Sequence, residues 1–592
     1  MRRHLIKVIG VCCILLASVR VNSEPPADTR DSIQRRRPVA IVPILQGQQL
    51  AVANRDSGTV SVIDLAERKV VHEALIGQRL SDLCATNDPD RLLATDEAAH
   101  QLIVLRITPT KCIVERRIDV APFPVSVRMQ SDGTRAFVAS LWSRTLSTVD
   151  LAADVGAANP VKLLHLPFAP REQLVIESRE SDRANARESV RLVVADSFGS
   201  KLAVINPSEP TMESVREFPA HAIRSLRLHP KKRRLLVTHQ MLSRLAHTTF
   251  DDVHWGSLMV NCFRSLELAD VLDPKADLLK HSSLDYLGGP ERGAGDPNDF
   301  VINQDGIQAI VLAGTDELIV DDGNHGYTRR LKLGSGPTAI ALSLDGAQAY
   351  VTNTLSDSVT IVQLAEPRVL AKIELGPQPE ETSVDRGERL FHNARLSHDR
   401  WFSCASCHVD GHTNGLPNDN MTDGSFGTPK RVPTLRGSAD TAPYAWNGRF
   451  ATLSEQIRHS VKSTMQGDAL GDQEVADLEA YLRTLPPPPP VGGESKDAIT
   501  RGAALFQQLD CKSCHAGPAL TSPQIVDVKL RDEQGTSEFN PPSLRGVSQN
   551  GPYFHDGRAA TLDAVFTRFR HQLDRELSTE ELRDLIAFLN SL

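Results

Sequence analysis

The sequence lacks several features that mark whole classes of protein. There is no excess of positive charge: 66 Lys and Arg stand against 74 Asp and Glu, and the net charge is −8. A polyanion-binding surface is therefore not expected, and nucleic acid is excluded as the main partner. Aromatic residues make up only 5%, but 40% apolar and 24% charged residues are typical of a folded globular protein. At 592 residues the chain is too long for one core, so two to four domains are expected.

Long apolar runs are scarce. One such run lies near the start, at residues 8–17, and three basic residues precede it. This run is too short to span a bilayer comfortably, and the small Ser23 stands just before the polar stretch EPPADTR. We interpret residues 1–23 as a signal peptide that directs export to the periplasm and is cleaved near Ser23. An uncleaved anchor is the alternative, and no stable membrane span is expected after cleavage.

Cysteine is scarce, with nine in the chain. Two leave with the signal peptide and four belong to a phrase that occurs twice. Cys84, Cys112 and Cys262 remain and form no visible framework. We expect small buried residues in a sheet; one disulfide with one thiol left over is the alternative.

The first half of the chain, residues 38–378, repeats an Asp-Gly turn between apolar strands. The best copies are QSDGTRAFVAS at 130–140, NQDGIQAIVLA at 303–313 and SLDGAQAYVTN at 343–353. Asp-Gly between alternating apolar strands is a strong hairpin signal. Seven such units, with insertions in the fourth and fifth, predict an all-β seven-bladed propeller. The YVTN at 350–353 resembles the YVTN family of β-propellers, which implies this fold but says little about function.

Five histidines lie along the fifth unit: His221, His229, His239, His247 and His254. Their spacing matches no ligand motif. We therefore expect ordinary surface or loop histidines rather than a metal site.

The repeated phrase is CASCH at 404–408 and CKSCH at 511–515. In an exported protein, Cys-x-x-Cys-His lets two thiols form thioethers with haem while the histidine binds iron. A zinc site or a disulfide needs further cysteines nearby, and each phrase stands alone. The sequence therefore predicts two covalently bound haem c groups, attached through Cys404, Cys407, Cys511 and Cys514 with His408 and His515 as axial iron ligands.

Each phrase lies inside a helical unit. RGERLF at 386–391 and RGAALF at 501–506 begin short amphipathic helices, and apolar spacings of three and four recur at 472–485 and 578–592. A run of prolines at 486–490 forms a stiff boundary. These patterns predict two mainly α cytochrome c-type domains, at 379–490 and 491–592.

The two units are also internal duplicates. PTLRGSADTAPYAWNGRFATL at 433–453 aligns without a gap to PSLRGVSQNGPYFHDGRAATL at 542–562, so that Trp446 stands where His555 stands. Together with LFHNARLSHDRWFSCASCH and the GLP at 415–417, these segments resemble the di-haem cytochrome c peroxidase family, which includes the enzyme that matures methylamine dehydrogenase. The resemblance covers residues 380–592.

The resemblance implies a first haem that reacts with peroxide and a second haem that supplies it with electrons. His408 and His515 match the proximal ligands. Trp446 matches an electron relay between the haems, although a core aromatic beside a haem is the alternative. Gln456 matches the glutamine of the distal pocket.

The chain departs from the family around the first haem. Gln466 stands where the peroxidases place an acid, and an amide cannot shuttle a proton. Gly424 stands where the family has a histidine that binds the iron. His412 and Met421 are nearby substitutes, and an open iron site is the other interpretation.

Around the second haem, Phe569 stands where the family has a methionine or tyrosine. No methionine follows Met465, so His571 is the best candidate for the distal ligand. Ligation by histidine gives a lower potential than His/Met ligation. Arg431 takes the place of an asparagine at the family's inter-haem calcium site, which argues against calcium.

Three functions follow from these patterns. The first is an exported di-haem oxidoreductase that reduces hydrogen peroxide, or uses it to oxidise a protein or small molecule, with an electron-donor protein as partner. The second is a non-catalytic electron carrier that docks a redox partner through the propeller. The third places an active site in the propeller, and the cytochrome units would accept the electrons released there.

Overall fold

A computed structural model describes residues 34–152, 160–178, 189–323 and 328–592. The predicted signal peptide, residues 1–23, lies outside the described residues. The described chain forms seven four-stranded antiparallel sheets followed by two helical units. The predicted fold class, a seven-bladed propeller before two cytochrome c-type domains, is confirmed.

Each blade is made of four consecutive strands that pair in chain order. The first three blades are β1–β4 (Pro38–Ile44, Gln49–Asn54, Thr59–Asp64, Lys69–Leu75), β5–β8 (Leu80–Ala85, Arg91–Asp96, Gln101–Thr108, Lys111–Asp119) and β9–β12 (Pro124–Met129, Arg135–Ser140, Thr145–Asp150, Val161–His165). The fourth and fifth are β13–β16 (Pro170–Ser178, Ser189–Asp196, Lys201–Asn206, Thr211–Glu217) and β17–β20 (His221–Leu228, Arg234–Leu242, Met259–Glu267, Ser283–Leu287). The last two are β21–β24 (Pro297–Ile302, Gln308–Leu312, Glu317–Asp321, Thr328–Lys332) and β25–β28 (Pro337–Leu342, Gln348–Asn353, Ser358–Gln363, Arg368–Glu374).

The ring closes between the seventh and first blades without a shared strand. The Asp357 carboxylate accepts hydrogen bonds from the backbone N–H of Arg36 (3.0 Å) and Arg37 (2.8 Å). The Thr354 hydroxyl donates to the Pro38 carbonyl at 2.6 Å. Apolar side chains of both blades share one buried cluster around Tyr350. Closure in this way leaves no long open edge at the joint.

The innermost strands surround a central channel of about 1300 Å³ that contains paired charges. Arg128 lies 2.7 Å from Asp82, and Arg227 lies 2.7 Å from Asp299. Burial raises the pKa of Glu172, which also lies in this channel, to about 7, and Arg128 opposes the shift only in part.

The fifth blade carries the predicted insertion, residues 243–258, between β18 and β19. It contains the short helix α1 (Phe250–His254), which begins after Thr249 because the Thr249 hydroxyl accepts a hydrogen bond from the backbone N–H of Asp252. A second short helix, α2 (Leu268–Leu272), follows β19. The insertion predicted in the fourth unit falls largely on residues 179–188, outside the described residues.

The expectation that the histidines of this blade are surface or loop residues is wrong for His221 and His239. Both lie fully buried on the inner strands β17 and β18. Burial lowers the pKa of His221 to about 4 and that of His239 to about 3, so both rings are neutral at pH 7.

The two helical units repeat one plan. The first contains α3 (Ser383–Phe391), α4 (Cys404–Cys407), β29 (Pro417–Asn418), β30 (Lys430–Arg431), α5 (Leu453–His459), a π-helical turn (Ser460–Thr464) and α6 (Asp472–Thr484). The second contains α7 (Lys496–Gln508), β31 (Val526–Asp527), β32 (Glu538–Phe539), α8 (Leu562–Thr567) and α9 (Thr579–Asn590).

In each unit the first and last helices cross at a glycine. A Cβ atom on Gly387 would lie 1.9 Å from the Asp477 carbonyl oxygen, and one on Gly502 would lie 1.9 Å from that of Asp584. The preceding arginine of each Arg-Gly pair binds the same aspartate: Arg386 Nε lies 2.7 Å from Asp477, and Arg501 Nε lies 2.5 Å from Asp584. The repeated Arg-Gly therefore fixes the helix crossing in both units.

Within the described ranges, no helix is long and apolar enough to cross a membrane. Cys84, Cys112 and Cys262 are unpaired thiols. Cys112 and Cys262 are buried in the sheets, as expected of small apolar residues, whereas Cys84 is half-buried on β5.

Candidate haem centres and their junction

The first Cys-x-x-Cys helix, α4, is docked on the propeller. The Ser403 hydroxyl caps it by accepting from the backbone N–H of Ala405 at 3.1 Å, and donates to Asp296 Oδ2 at 2.5 Å. The Ser406 hydroxyl donates to the other oxygen of Asp296. His221 Nε2 lies 3.1 Å from the Ser406 carbonyl oxygen. Asp296 and His221 belong to the propeller, which therefore positions the first pair of thiols.

The thiols and the histidine of the first phrase are in a protected setting. Burial, with the charge of Asp296, raises the pKa values of Cys404 and Cys407 to about 12. His408 Nδ1 lies 2.9 Å from the Pro433 carbonyl oxygen, and burial lowers the pKa of His408 to about 4. The neutral ring thus donates from Nδ1, which directs the Nε2 lone pair towards a metal.

The second phrase lies in a 3-10 turn, Cys511–Ser513, and its histidine is also held by backbone carbonyls. Cys511 and Cys514 are unpaired, and His515 Nδ1 lies 3.3 Å from the Leu520 carbonyl oxygen. The Pro542 carbonyl also acts on His515, whose pKa is lowered mainly by burial. Pro542 is the position aligned with Pro433, so the carbonyl beside each histidine comes from the same place in the two duplicates.

The two units meet in a reciprocal backbone pairing. The Arg431 N–H donates to the His555 carbonyl at 2.6 Å, and the Asn540 N–H donates to the Trp446 carbonyl at 2.7 Å. Arg431 aligns with Asn540 and Trp446 aligns with His555, so the junction has local pseudo-twofold symmetry. The Trp446 indole N–H donates to the Arg431 carbonyl at 2.8 Å. Trp446 therefore lies at the boundary between the two units.

Arg431 also places a charge at this junction. Its side chain is buried, its guanidinium carbon lies 5.7 Å from the centre of the Trp446 ring, and no carboxylate of the described residues pairs with it. Burial lowers the pKa of Arg431 to about 10. Its Nε, and that of Arg436 in the first PxLRG segment, is buried without a hydrogen-bond partner. Buried guanidinium groups with an unpaired N–H donor fit the propionates of a haem.

The predicted distal residues of the first unit have defined partners. Gln456 Nε2 donates to the Ser460 hydroxyl at 3.0 Å. Gln466 Nε2 donates to the carbonyl oxygens of Thr248 (2.6 Å) and Ser463 (2.9 Å), so its amide joins this unit to the propeller insertion.

The candidate distal ligands of the first unit differ in availability. His412 Nδ1 lies 2.9 Å from the Thr434 hydroxyl and Nε2 lies 3.1 Å from the Gln549 carbonyl oxygen, so both ring nitrogens are engaged. Met421 is half-buried at the start of a short 3-10 turn. Gly424 ends that turn in a left-handed conformation with φ 94°. To bind iron, His412 would have to give up the hydrogen bond at the nitrogen that becomes the ligand.

The propeller insertion forms part of the wall around the first unit, which the sequence did not indicate. Ala246, Val253 and Leu258 share one buried apolar cluster with residues of the haem unit. That cluster includes Trp401 and Phe402, just before the first phrase, and packs against Cys404 and Cys407. The one available signal was the extra length of the fifth repeat.

His571 lies close to His515 in the second unit. Burial lowers the pKa of His571 to about 4, and the neighbouring His515 adds to this shift. Its Nδ1 is buried without a hydrogen-bond partner, and its ring lies 5.4 Å from that of Phe554. Phe569 packs on the same ring of Phe554 at 5.5 Å. A buried imidazole with an unpaired ring nitrogen in the same unit as His515 fits the predicted second ligand of this haem.

The residues present therefore fit two haem groups: paired thiols, oriented histidines, an apolar wall and unsatisfied guanidinium donors. The region after the propeller is a pair of c-type cytochrome units joined at a tryptophan.

Comparison with known proteins supports the assignment of two cytochrome units. Residues 381–486 match the family model of the di-haem cytochrome c peroxidases, and residues 499–592 match that of cytochrome c. The methylamine utilization protein MauG of Methylorubrum extorquens is 27% identical over 41% of this chain and 91% of its own length. Cytochrome c551 peroxidase of Nitrosomonas europaea is 28% identical over 36% of this chain and 81% of its own length. The predicted resemblance is confirmed, and the cytochrome pair is that of a peroxidase-like oxidoreductase.

Two solved structures align with parts of this chain. Kuenenia stuttgartiensis hydrazine synthase aligns with a TM-score of 0.44 at 17% identity, over 58% of this chain and 99% of that chain. The β-propeller domain of Myceliophteria thermophila Cps50 (Swd1) aligns with a TM-score of 0.39 at 14% identity, over 54% of this chain and 95% of that chain.

Proposed function

We propose that this protein is an exported, periplasmic di-haem c-type oxidoreductase that reduces hydrogen peroxide, or uses it to oxidise a partner protein or small molecule. The observation that carries this proposal is the junction, where Trp446 is held between two duplicated haem units by hydrogen bonds at its indole N–H and its carbonyl. The peroxidases among the relatives support the same chemistry.

The chain's own residues have separate tasks in this scheme. Cys404 and Cys407 would hold the first haem, and Cys511 and Cys514 the second, each through two thioethers. His408 and His515 would ligate the irons from Nε2, while Arg431 would neutralise propionate charge in place of a calcium ion. Haem iron supplies the site at which peroxide is bound and reduced.

The first unit would be the peroxide-reactive one. His412 is committed to hydrogen bonds, which favours an open iron site there. Gln456 would orient bound peroxide through its amide. The second unit, where His515 and His571 would hold the iron, would receive electrons from a donor protein and pass them on through Trp446.

A non-catalytic electron carrier is the second candidate, and Gln466 is the observation that favours it. The Gln466 amide nitrogen donates to two backbone carbonyls, and a glutamine offers no carboxylate at the position where the peroxidases have an acid. In this case the propeller would dock a redox partner.

Rapid mixing of the haem-loaded protein with stoichiometric hydrogen peroxide tests the proposal. A Soret shift within milliseconds to seconds, faster than that of free haem, is the expected result. The W446F variant should keep the shift of the first haem but slow the subsequent oxidation of the second by about tenfold or more, since an indole relay is lost. The control W255F replaces an exposed tryptophan of the propeller insertion. No shift in oxidised or half-reduced protein would favour the carrier.

A further inference from the structure

Three metal-ligating side chains meet where the propeller insertion touches the first cytochrome unit. His254 is the last residue of α1, and His398 and Asp399 lie in the loop that leads to Trp401. His254 Nδ1 is 2.7 Å and His398 Nε2 is 3.6 Å from the same atom, Asp399 Oδ2. One ligand atom from each residue lies within 4.8 Å of the other two, and all three side chains are half-buried.

The backbone that presents Asp399 is held in an uncommon shape. Asp399 and Arg400 both have left-handed conformations, with φ 56° and 65°. Their carbonyl oxygens accept hydrogen bonds from the propeller N–H groups of Gly293 (2.7 Å) and Gly295 (3.1 Å). Non-glycine residues in this region are disfavoured and persist where the surroundings hold them, often at functional sites.

The ligand rings are fixed from outside as well. The His254 carbonyl accepts the Trp401 indole N–H at 3.1 Å. Phe250 lies 4.5 Å from the His398 ring and 5.7 Å from the His254 ring, between ring centres. Packing and hydrogen bonds that orient ligands in this way are a regular part of metal sites.

We propose that His254, His398 and Asp399 bind a divalent transition-metal ion of the zinc class. Two imidazole nitrogens and one carboxylate oxygen are a common zinc donor set, and a water molecule would complete four-coordination. In the metal-free form the imidazole of His254 is hydrogen-bonded to the carboxylate of Asp399. The spacing of histidines within the fifth repeat could not reveal this site, because Asp399 is 145 positions from His254 in sequence.

The ion would join two parts of the molecule. His254 belongs to the propeller insertion, while the other two ligands precede the first haem-attachment helix by a few residues. Metal binding would therefore tie the insertion to the loop before the first haem. This inference does not rest on the proposed peroxidase function.

Equilibrium dialysis of the haem-loaded, chelator-washed protein against Zn²⁺, with metal counted by mass spectrometry, tests the site. We expect a single tightly held zinc ion in the wild type, and affinity lower by at least ~10-fold in H254A, H398A and D399N. The matched control is H281A, which removes an exposed histidine 2.8 Å from Asp270 on the same blade and should keep the zinc.

Thermal unfolding provides a second readout. Zn²⁺ should raise the unfolding temperature of the wild type and of H281A but not of the three variants, since a ligand that binds only the folded state stabilises it. If a variant fails to fold, protection of the wild-type histidines from diethyl pyrocarbonate by Zn²⁺, mapped by peptide mass, decides the same question. Equal zinc retention by all variants, or no protection at His254 and His398, would overturn the proposal.

Discussion

Removing the charge of Asp410 should loosen the first cytochrome unit from the propeller. Asp410 lies two residues after the first phrase and lines the central channel of the propeller. Its Oδ2 is 2.5 Å from Arg171 Nη2 and its Oδ1 is 3.1 Å from Arg224 Nη2. Although burial opposes it, the two arginines hold the pKa of Asp410 well below its usual range. The D410N variant leaves both guanidinium groups without their carboxylate.

The expected loss of unfolding free energy depends on how far the three charged side chains are exposed to solvent. Breaking a fully buried ion pair costs about 3–5 kcal/mol, whereas an exposed pair contributes about 0–1 kcal/mol. The side chains of Asp410, Arg171 and Arg224 are 29%, 24% and 18% exposed, so we expect a loss of about 2–3 kcal/mol. Asp410 has φ 54°, a conformation that asparagine adopts readily, so the substitution changes charge with little backbone strain.

Urea unfolding of the haem-loaded protein measures this loss of stability. Soret absorbance follows the haem units, and far-ultraviolet circular dichroism follows the strands. The Soret transition of D410N should move down by about 1–2 M urea while the strand signal moves less. The matched control is D440N, because Asp440 pairs with Arg545 but is 60% exposed; its shift should stay below about 0.5 M. If D410N and D440N behave alike, the buried pairing does not hold the unit in place.

Three further substitutions test the site and the channel. Q466E replaces the amide that donates to the carbonyls of Thr248 and Ser463; it should destabilise the protein by about 1–3 kcal/mol in urea without raising peroxide turnover, and a rise in turnover would contradict our account. H571A should convert the second haem from low-spin to high-spin in electron paramagnetic resonance, and an unchanged spectrum would mean another ligand. Glu172 has a folded-state pKa of about 7 against a usual value near 4.5, so its contribution to stability is present below about pH 4.5 and is lost as the pH rises through about 7. Relative to E172Q, the wild type should lose about 1–3 kcal/mol of unfolding free energy between pH 5 and 8, and parallel pH profiles of the two proteins would refute the shift.

Much of the fold could be predicted because its signals are local. Asp-Gly turns at regular spacing predicted the blades, and the gapless alignment of two segments predicted duplicated units. The Arg-Gly pairs within α3 and α7 were visible as a sequence repeat, but the reason for them, contact with Asp477 and Asp584 across the helix crossing, needed the structure.

What the sequence could not predict is the contact between the two halves. Asp296 binds two serines of the first attachment helix from 107 and 110 positions away, and no motif surrounds it. Gln466 was visible as a missing acid, but its hydrogen bond to Thr248 spans 218 positions. Pairings of this kind depend on how the propeller presents its loops, and a single sequence contains no periodic signal for that.

The contacts of the propeller with the two haem units are unequal, and this inequality bears on function. The first unit is held at its attachment helix by Asp296, at the channel mouth through Asp410, and along its wall by the insertion. The second unit meets the propeller at Ser548 and Gln549. The Gln549 amide donates to the Trp142 carbonyl at 2.7 Å, and Arg144 donates to the Gln549 side-chain oxygen at 3.0 Å and to the Ser548 carbonyl at 2.9 Å. Since the two units are duplicates, the propeller must account for much of what distinguishes their surroundings. A rigidly held first site and a more exposed second site suit a division in which peroxide reacts at the first haem and a donor protein reaches the second.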